Sequence, residues 1–538
     1  MPTNPSARRR RRAFPLATVA AAAASAVALT SCSAGSAGTT AGAAGPPVSG
    51  GTLTMAIPAD EGCVDPQQVL GRTQLAIDRA VVDSLVYQDA GKNEFQPWLA
   101  QSWEVSPDST SYTFHLRSGV TFSDGSPLTA DTVKANFDAI AALGPKARLA
   151  STYLVGYQGT TVVDTLTAKV VFKAPNAAFL QAVSTPSMGI IATASASLNQ
   201  QQRCQRGPIG SGPYKMTRYE QNQGQTLARR AGYGWAPKAL HQGDGRLDEI
   251  DVKIVPESGV RTGSLVSGQT DLTMEVQKAD VTTLQRASLP IEARSNPGLP
   301  QQLFVNTKDP ILADPAVRKA LQSGLNRQEL VGSTLTQYQK IASGALSSTT
   351  PGYLDLSDRL RYNPDAAKQA LTDAGWMPGP DGIRTKGGKR LTVSLLYGAQ
   401  LYGFLVPLME LAQQELKQVG LEVTLRPLPD ADANAAWISG DYQLRISGLT
   451  RADPDALRTG LAKLDPQLDT LLTKQMATSD EKTRMSIVAD AQRLVIDKAI
   501  AIPINELSLP LAHQPSVHGV AFTGDSLLLL DELWKTAA

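Results

Sequence analysis

The residue types that carry out catalysis are few in this chain and are poorly placed for it. Its four histidines, His115, His241, His513 and His518, include no pair at the i, i+4 spacing of a zinc-binding H-E-x-x-H helix. No G-x-S-x-G sequence, which would hold a serine nucleophile on a strand-to-helix turn, occurs in the chain. The sequence therefore predicts a protein that is not an enzyme and that holds no metal and no cofactor.

The glycine-rich segment 382–389 is superficially similar to a phosphate-binding loop. However, five residues separate Gly382 from Gly388, and Arg390 stands where such a loop requires serine or threonine. Residues 386–389, Lys-Gly-Gly-Lys, lie between two alternating runs, which is typical of a β-hairpin turn. We interpret this segment as a hairpin and not as a nucleotide site.

Charges of both signs lie together in the stretch Thr450-Arg451-Ala452-Asp453-Pro454-Asp455. It follows the alternating apolar run 442–449, which predicts a strand, so the charges come at the end of that strand. In α/β proteins the ends of strands face the ligand crevice. The alternatives are that each charge lies in a solvated loop, and that Asp455 pairs with Arg451 or caps a following helix.

The elements that must position this stretch alternate between strand and helix. Residues 52–57 and 112–116 alternate with period two and predict strands, and residues 129–138 predict a helix that Thr129 caps. Two later helices begin with an N-cap residue followed by proline, at Asp314-Pro315 and at Asn363-Pro364. Short strands that alternate with such helices indicate an α/β fold.

The N-terminus has the pattern of a secretory leader. Five consecutive arginines, Arg8 to Arg12, precede the apolar run 14–29, whose 16 residues fall short of the roughly 18 that span a bilayer. A permanent transmembrane helix is therefore the weaker interpretation. Residues 29–32, Leu-Thr-Ser-Cys, resemble the lipobox of bacterial lipoproteins, which implies removal of 1–31 and a Cys32 that carries diacylglycerol and palmitate. The alternative is a chance cysteine after a signal peptide, and the export route, general secretory or twin-arginine, stays open.

The segment that follows Cys32 predicts a flexible tether over 32–51. Residues 33–51 are Gly, Ala, Ser, Thr and Pro with a single valine, a composition that cannot bury enough apolar area to fold. A chain of that length has a root-mean-square reach of about 25 Å. The expected location is the outer face of the bacterial cytoplasmic membrane.

The charge of the body gives no indication of a nucleic-acid partner, and we expect none. Removal of residues 1–31 takes away five arginines and no acidic residue, which leaves 46 basic against 49 acidic residues and changes the net charge from +2 to −3. No basic stripe interleaved with aromatic residues remains. The remaining body of roughly 490 residues exceeds one hydrophobic core and predicts two or three domains.

Besides Cys32, the chain contains two cysteines, Cys63 and Cys204. An even pair in an exported protein predicts a disulfide. Two separate buried thiols are the alternative. If the two are paired, no thiol nucleophile is left.

A set of short motifs is distributed along residues 50–538. The motifs include Gly50-Gly51-Thr52-Leu53, residues 98–105, residues 112–119, Phe122-Ser123-Asp124-Gly125, residues 210–214, Leu247-Asp248-Glu249-Ile250, Asn306-Thr307-Lys308, residues 317–321, Asn363-Pro364, Ala374-Gly375-Trp376, Gly440-Asp441-Tyr442 and Ala501-Ile502-Pro503-Ile504. This colinear set resembles, in family order, the extracellular solute-binding proteins of family 5, the dipeptide and oligopeptide binders of ABC importers.

The resemblance implies a two-lobed periplasmic-binding-protein-like fold of type II, cluster C, with an extra subdomain in the first lobe. Applied to this chain, lobe I covers 52–303, with the subdomain at about 90–215, lobe II covers 304–504, and 505–538 return to lobe I. The crossings are expected near 304–306 and 504–506. The implied function is that of a monomeric extracytoplasmic component of an ABC importer, which captures a small peptide in a closing cleft and delivers it to the transmembrane permease.

The resemblance also assigns roles to particular residues. In peptide binders of this family, the first aspartate of the matching loop pairs with the α-ammonium of the ligand, and it corresponds best to Asp453. Arg451 is expected to bind a carboxylate in bidentate fashion, with Asp455 beside it. Tyr397 and Met274, each at the end of a predicted strand, are further cleft candidates, with core packing as their alternative.

Two departures from the family pattern bear on the ligand. Leu449 stands where peptide binders often place a tryptophan, and the stretch 455–468 is much shorter than the usual loop. Both changes reshape the pocket, so Leu449 is counted among the ligand-binding candidates. They keep open a non-peptide solute, namely a metal chelate, an opine, a siderophore or a saccharide, and a signalling role on the same fold.

Overall fold

The computed structural model describes residues 46–536, apart from the side chains of residues 401–403. The predicted leader 1–31, the lipid attachment at Cys32 and most of the tether lie outside the described residues. The strands are, in chain order, β1 (Thr52–Ile57), β2 (Val86–Gln88), β3 (Phe95–Pro97), β4 (Ala100–Val105), β5 (Ser111–Leu116), β6 (Tyr157–Asp164), β7 (Thr167–Phe172), β8 (Tyr214–Glu220), β9 (Gly224–Arg229), β10 (Glu249–Ile254), β11 (Leu272–Met274), β12 (Ile291–Glu292), β13 (Gly298–Val305), β14 (Met377–Pro378), β15 (Arg384–Lys386), β16 (Lys389–Arg390), β17 (Thr392–Gly398), β18 (Glu422–Leu428), β19 (Leu444–Thr450), β20 (Ala501–Asn505), β21 (Leu511–His513), β22 (Val517–His518) and β23 (Trp534–Lys535).

The helices alternate with these strands over much of the chain. They are α1 (Arg72–Arg79), α2 (Ala130–Leu143), α3 (Ala150–Tyr153), α4 (Phe179–Ala182), α5 (Thr193–Ala196), α6 (Gln200–Arg206), α7 (Ser258–Val266), α8 (Lys278–Arg286), α9 (Pro315–Ser323), α10 (Arg327–Thr334), α11 (Pro364–Asp373), α12 (Ala399–Tyr402), α13 (Val406–Gln418), α14 (Asp430–Ser439), α15 (Ala456–Leu461), α16 (Pro466–Met476) and α17 (Glu481–Asp497).

Capping residues begin several of these helices where the sequence predicts. The Thr129 hydroxyl accepts from the Thr132 amide at the start of α2. Asp314 and Asn363 accept from backbone amides two and three residues ahead, and proline occupies the first turn of α9 and of α11. Each cap accepts a hydrogen bond from an amide that has no partner within the helix. Because few residue types can do this, the starts of these helices can be predicted from the sequence.

The first lobe is built on a mixed seven-stranded sheet of order β12-β21-β11-β1-β10-β9-β8. Strand β1 lies inside it, parallel to β10 on one side and to β11 on the other. Its alternation places Leu53, Met55 and Ile57 in one core, in which each is fully buried. A separate antiparallel sheet, β4-β5-β7-β6, packs with α2 around the aromatic residues Tyr112, Phe114 and others and forms a core of its own.

The second lobe is built on a five-stranded sheet of order β18-β17-β19-β13-β20. Strands β17, β18 and β19 are mutually parallel, whereas β13 and β20 run antiparallel to their neighbours. Hydrophobic clusters cover the sheet, one with α9, α10, α11 and α13 and another with α15, α16 and α17. The fold class is therefore the predicted α/β class with two lobes.

The chain passes between the two sheets twice, within residues 293–297 and within residues 506–510. Strand β13 thus belongs to the second sheet from Gly298 onward, and β21 belongs to the first. The predicted limits 52–303, 304–504 and 505–538 remain predictions.

Two local predictions are confirmed. Cys63 and Cys204 form a disulfide across 141 residues of sequence, and it joins the segment after β1 to α6. Residues 384–390 form a hairpin, β15 paired with β16, whose turn residues Gly387 and Gly388 have φ of 57° and 79°. Positive φ favours glycine, which explains the Gly-Gly pair without any phosphate-binding role.

Candidate ligand-binding cleft

The charged loop 451–455 directly follows β19, as predicted, and its three charges are ion-paired within the second lobe. Arg451 Nη1 lies 2.6 Å from Asp455 Oδ2, and Arg458 Nε lies 2.5 Å from Asp455 Oδ1. Arg484, on α17, donates to both carboxylate oxygens of Asp453 at 2.6 and 2.9 Å. Asp453 Oδ1 also accepts from the backbone amide of Asp455 at 2.7 Å, which fixes the turn.

These ion pairs are almost completely shielded from water. Asp453 is 6% exposed and Asp455 is 1% exposed. Burial opposes the charge of Arg484, but the Asp453 carboxylate more than offsets it, so the pKa of Arg484 lies above its usual value. A pair of this kind is costly to break, because either partner left alone would be a buried and uncompensated charge.

Arg451 reaches from the second lobe to the first. Its Nη2 donates to Thr152 Oγ1, on α3, at 2.8 Å. Its guanidinium carbon lies 4.4 Å from the ring centroid of Tyr153, an arrangement typical of a cation–π contact. Because Arg451 is only 1% exposed, this contact is shielded from water and from salt.

Further hydrogen bonds cross between the lobes near the same loop. Gln88 Nε2 donates to the carbonyl oxygen of Ala452 at 2.9 Å. The amide of Ala177 donates to the carbonyl oxygen of Met476 at 3.2 Å, and Ser479 Oγ donates to the carbonyl of Pro107 at 3.1 Å. The predicted loop therefore lies where the two lobes meet.

Two cavities flank the loop at this junction. One, of about 510 Å³, contains Asp453 and Arg484 in its wall together with first-lobe residues Gln88, Phe95 and Tyr112. The other, of about 430 Å³, is bounded by Arg451, Asp455, Arg458 and first-lobe residues that include Thr152, Tyr153 and Asn176. The loop thus divides the cleft, and its carboxylates and guanidinium groups form walls on both sides.

A third cavity of about 350 Å³ lies at the hinge end of the cleft, beside the crossing segments; we call it the hinge-end cavity. It is lined by Arg72, Glu275, Val276, Gln277, Lys278, Asn296, Gln301, Thr334, Leu335, Thr336, Gln339, Phe404, Leu405, Thr450, Asn505, Leu507, Ser508, Leu509 and Pro510. Two of these residues lie in segments that the sequence already indicated: Thr450 at the start of the charged stretch, and Asn505 in a predicted crossing. The sequence indicated none of the others. The available signal was weak: Gln301 is a polar residue inside a strand that is otherwise mainly apolar.

The remaining candidates pack mainly in hydrophobic cores. Met274 is 4% exposed and belongs to the core of the first sheet, and Tyr397 is 8% exposed and belongs to a second-lobe core. Leu449 is partly buried against the cluster that contains α15 and α17. Their chain neighbours Glu275 and Thr450 line the hinge-end cavity. The structure brings Arg451, Asp453 and Asp455 together, whereas a ligand contact for Met274, Tyr397 or Leu449 stays a prediction.

Another cavity, of about 930 Å³, lies elsewhere in the second lobe. Its wall includes Asn306, Arg426, Trp437, Asp441 and Gln443, at the end of the sheet where β17 and β19 begin. It contains none of the predicted ligand-binding residues, and its walls come from the second lobe alone.

Within the described part of the chain, no group of three or more His, Cys, Asp or Glu side chains is arranged to hold a metal ion. Over the same residues, no helix has both the length and the apolar character needed to cross a bilayer. What the junction offers is a set of paired charges, amides and aromatic rings around enclosed space. Such a surface can bind and orient a small solute.

The sequence comparisons give the family. A profile described as "Bacterial extracellular solute-binding proteins, family 5 Middle" matches residues 94–461. The glutathione-binding protein GsiB of Escherichia coli (strain K12) is 24% identical over 444 residues, which cover 78% of this chain and 82% of GsiB. The nickel-binding periplasmic protein of the same organism is 25% identical over 501 residues, which cover 87% of this chain and 92% of that protein.

Solved structures share the fold. NikA from Brucella suis in complex with Fe(III)-EDTA has a TM-score of 0.77 at 23% identity, and the match covers 90% of this chain and 100% of NikA. DppA from Helicobacter pylori in complex with the peptide STSA has a TM-score of 0.71 at 23% identity, and the match covers 91% and 98%.

Two lobes joined by two crossings, with enclosed space at their junction, define the class of two-lobed extracytoplasmic binding proteins. The chain belongs to the bacterial extracellular solute-binding proteins of family 5, which are solute-binding components of ABC importers. Members of this family bind solutes for transport and are not enzymes.

Proposed function

We propose that this protein captures a small peptide in the cleft between its lobes and delivers it to the transmembrane permease of an ABC importer. The observation that carries the proposal is the buried, ion-paired loop 451–455, which lies at the lobe junction between two cavities. Closure of two lobes around a ligand is a well-known hinge motion in proteins of this shape. A ligand that contacts both lobes stabilises the closed form over the open form.

Asp453 is the proposed partner of the peptide α-ammonium. Its Oδ1 already accepts from Asp455 and Arg484, whereas Oδ2 accepts only from Arg484 among the described contacts. A carboxylate has about four acceptor positions, so Oδ2 retains capacity for an ammonium donor in the 510 Å³ cavity. Charge-assisted bonds of this kind are short and directional.

Arg451 and Asp455 are proposed to shape the neighbouring cavity rather than to act as free charges, since each already neutralises the other. Met274, Tyr397 and Leu449 are proposed to contact ligand through the edges of their packed side chains. A peptide ligand also agrees with what is bound by similar proteins, which include a glutathione-binding protein and a DppA solved with a tetrapeptide.

A non-peptide solute is the second candidate, and one observation favours it. Arg484 neutralises Asp453, so the loop offers an incoming ammonium less net negative charge than a free carboxylate would. Relatives include a nickel-binding protein, NikA with Fe(III)-EDTA and AgaA with agropinic acid. A metal chelate or an opine is therefore the alternative occupant of the same cleft.

Ligand identity is tested on protein that lacks residues 1–32 and is purified without denaturation. Native mass spectrometry of the intact complex, followed by denaturing mass spectrometry of the released solute, distinguishes a peptide from a chelate or an opine. In parallel, the protein is titrated with a mixed library of di- to hexapeptides while its melting temperature is recorded, because a ligand of the native state raises that temperature. No shift with any peptide, together with a non-peptide mass in the native complex, would exclude the peptide proposal.

We also propose that Cys32 carries the lipid that holds the protein at the outer face of the cytoplasmic membrane. The full-length chain and its Cys32→Ser variant are expressed in a bacterial host, and the membrane and soluble fractions are compared. The parent chain is expected in the membrane fraction, extractable by detergent, and the variant in the soluble extracytoplasmic fraction. Equal membrane association of both chains would contradict the lipid anchor.

A further inference from the structure

Two buried amides in the wall of the hinge-end cavity have polar atoms without partners. Gln301 is 1% exposed and Asn505 is 2% exposed. Within residues 46–536, Gln301 Nε2 and Asn505 Oδ1 have no hydrogen-bond partner. Leaving a buried polar atom unpaired costs about 1–3 kcal/mol, so buried groups of this kind are usually satisfied. Both atoms belong to residues that line one cavity, so rotation of either amide side chain can bring its unpaired atom to a polar occupant of that cavity.

A guanidinium group lines the same cavity from the first lobe. Arg72 is the first residue of α1, and its Nη2 donates to the backbone carbonyl of Asp525. Its Nε has no hydrogen-bond partner in the described part of the chain. Burial lowers the pKa of Arg72, and the nearby Asp525 carboxylate counteracts this in part. Arginine nevertheless stays protonated in proteins, so Arg72 is a cation held here by a carbonyl oxygen.

The other charged residues of this wall are already engaged. Lys278 Nζ donates to the carbonyls of Gly332 at 2.9 Å and Ser333 at 2.6 Å, in the last turn of α10. Glu275 Oε1 accepts from Thr73 Oγ1 at 2.7 Å. Glu275 also has a φ of 60°, a left-handed conformation that is costly for a residue with a side chain. Among the charged residues of this wall that the structure describes, Arg72 therefore retains an unpaired donor, its Nε–H.

We infer that the hinge-end cavity is a subsite for the carboxylate of a ligand, with Arg72 as its cationic anchor. Arg72 Nε and Gln301 Nε2 donate to the carboxylate oxygens, and Asn505 Oδ1 accepts an N–H or O–H of the ligand next to that carboxylate. The apolar side chains in the same wall, among them Leu335, Phe404 and Leu507, contact the apolar part of the molecule. The ligand class is therefore a small amphipathic molecule with a free carboxylate.

This inference rests on the proposed function only in requiring that a solute enters the cleft. For a peptide ligand, the subsite would take the C-terminal carboxylate. For a non-peptide ligand, it would take any carboxylate of similar size. In either case, Arg72 and Gln301 select against the neutral analogue, because an amide or ester in that position brings no negative charge to the unpaired Nε–H of the guanidinium.

The test compares free acids with their neutral analogues on the protein from residue 33 onward. The probes are di- and tripeptides with a free or an amidated C-terminus, and two non-peptide pairs, citrate with trimethyl citrate and histidine with its methyl ester. Dissociation constants are measured by calorimetry and by thermal shift for the parent chain, Arg72→Gln and Arg72→Lys. Arg493→Gln, which removes an exposed arginine paired with Asp490 on α17, is the matched control.

The parent chain and the Arg493→Gln control are expected to prefer the free acid of a bound pair by about 10-fold or more, as for a hydrogen bond to a charged group. Arg72→Gln is expected to reduce that preference to about twofold, and Arg72→Lys to retain part of it. Melting curves establish that each variant is folded. If the acid and its neutral analogue bind equally, if no probe binds as the acid, or if a folded Arg72→Gln keeps the full preference, the inference is overturned. Arg72-dependent binding of non-peptide acids without any peptide binding would support the subsite and refute the peptide proposal.

Discussion

Asp453 illustrates how burial changes the meaning of a charged residue. In the sequence, it is one acidic residue of a loop; in the structure, it is held by two hydrogen bonds from Arg484 and is almost inaccessible to water. Its role in ligand capture and its role in stability are therefore coupled. A change that removes the charge of Asp453 also leaves Arg484 as a buried charge without its carboxylate partner.

We expect Asp453→Asn to lower the free energy of unfolding by about 3–5 kcal/mol, because Arg484 would keep its charge without a buried partner. Urea unfolding monitored by circular dichroism measures the change. Asp490→Asn is the control, on α17, the helix that carries Arg484. It removes an exposed partner of Arg493 and should change the stability by less than about 1 kcal/mol. Equal effects of the two substitutions would show that the buried pair of Asp453 and Arg484 contributes no more to stability than the exposed pair of Asp490 and Arg493.

Asp531 gives a second prediction at this scale, on pH. Burial, followed by the neighbouring Glu532, raises the pKa of Asp531 from 3.8 to about 7; Asp83 raises it further and Arg79 lowers it. Between about pH 4 and pH 7 the folded protein holds a proton that the unfolded chain has released. The stability that this proton contributes is full below about pH 4 and is lost as the pH rises through 7, by at most about 1.4 kcal/mol per pH unit.

Asp531→Asn should therefore flatten the dependence of unfolding free energy on pH between about 4 and 7. Denaturant midpoints of the variant and the parent chain are compared at about pH 4.5, 5.5, 6.5 and 7.5, in steps of about one unit across the range in which the proton is lost. Asp365→Asn, at an exposed position in the first turn of α11, is the control and should leave the slope unchanged. A parent-like slope in Asp531→Asn would contradict the raised pKa of this carboxyl.

Among the elements, the turn 210–214 shows why one motif of the chain has its glycines. A Cβ on Gly210 would lie 1.9 Å from the carbonyl oxygen of Val81, and one on Gly212 would lie 2.6 Å from that of Ala80. Between them, Ser211 Oγ donates to Asp83 Oδ2 at 2.9 Å. The turn thus packs directly on the backbone that follows α1, and α1 begins with Arg72 of the hinge-end cavity.

Gly210→Ala should destabilise the protein by roughly 3 kcal/mol, the upper end of the usual cost of overpacking, since the contact is with backbone that cannot rotate away. Thermal unfolding of the parent and variant measures the effect. Gly234→Ala is the matched control, because nothing lies within 4 Å of a Cβ built there. If Gly210→Ala were as stable as Gly234→Ala, the close approach of this turn to Val81 would be wrong.

At the scale of the whole molecule, the two lobes meet through a small number of polar contacts. Arg451 is central among them, because it contacts its own lobe through Asp455 and the first lobe through Thr152 and Tyr153. Contacts that exist only in the closed form stabilise that form. The apparent affinity for a ligand then depends on the fraction of molecules that are closed.

Thr152→Val should weaken ligand binding by about 10-fold, because it removes a hydrogen bond from a buried guanidinium that joins the two lobes. The wall of the 510 Å³ cavity, which contains Asp453, is left unchanged. Small-angle scattering should show a larger mean radius of gyration without ligand and a smaller difference when ligand saturates the protein. Thr217→Val, which removes a hydroxyl that donates to Thr226 within the first-lobe sheet, is the control. An unchanged affinity and radius would exclude a role of Thr152 in closure.

Local signals in the sequence determined the kinds of elements and several of their limits. Strand β1 at Thr52–Ile57, the N-caps at Thr129, Asp314 and Asn363, and the hairpin around Gly387-Gly388 all follow from the conformational preferences of neighbouring residues. The disulfide was predictable for a different reason: apart from Cys32, the chain has only one pair of cysteines that can join. Such features involve few alternatives, and each is decided within a few residues or by simple pairing.

Only the tertiary structure decided which polar groups share a cavity and which charges neutralise each other. Arg484 lies 31 residues after Asp453, and Thr152 lies 299 residues before Arg451, so neither partnership leaves a periodic signal in the sequence. Arg72, Gln301 and Asn505 come from three distant segments that meet only because two sheets are joined by two crossings. Side-chain types and local order are encoded along the chain, whereas burial and partnership depend on packing between segments that the chain itself does not bring together.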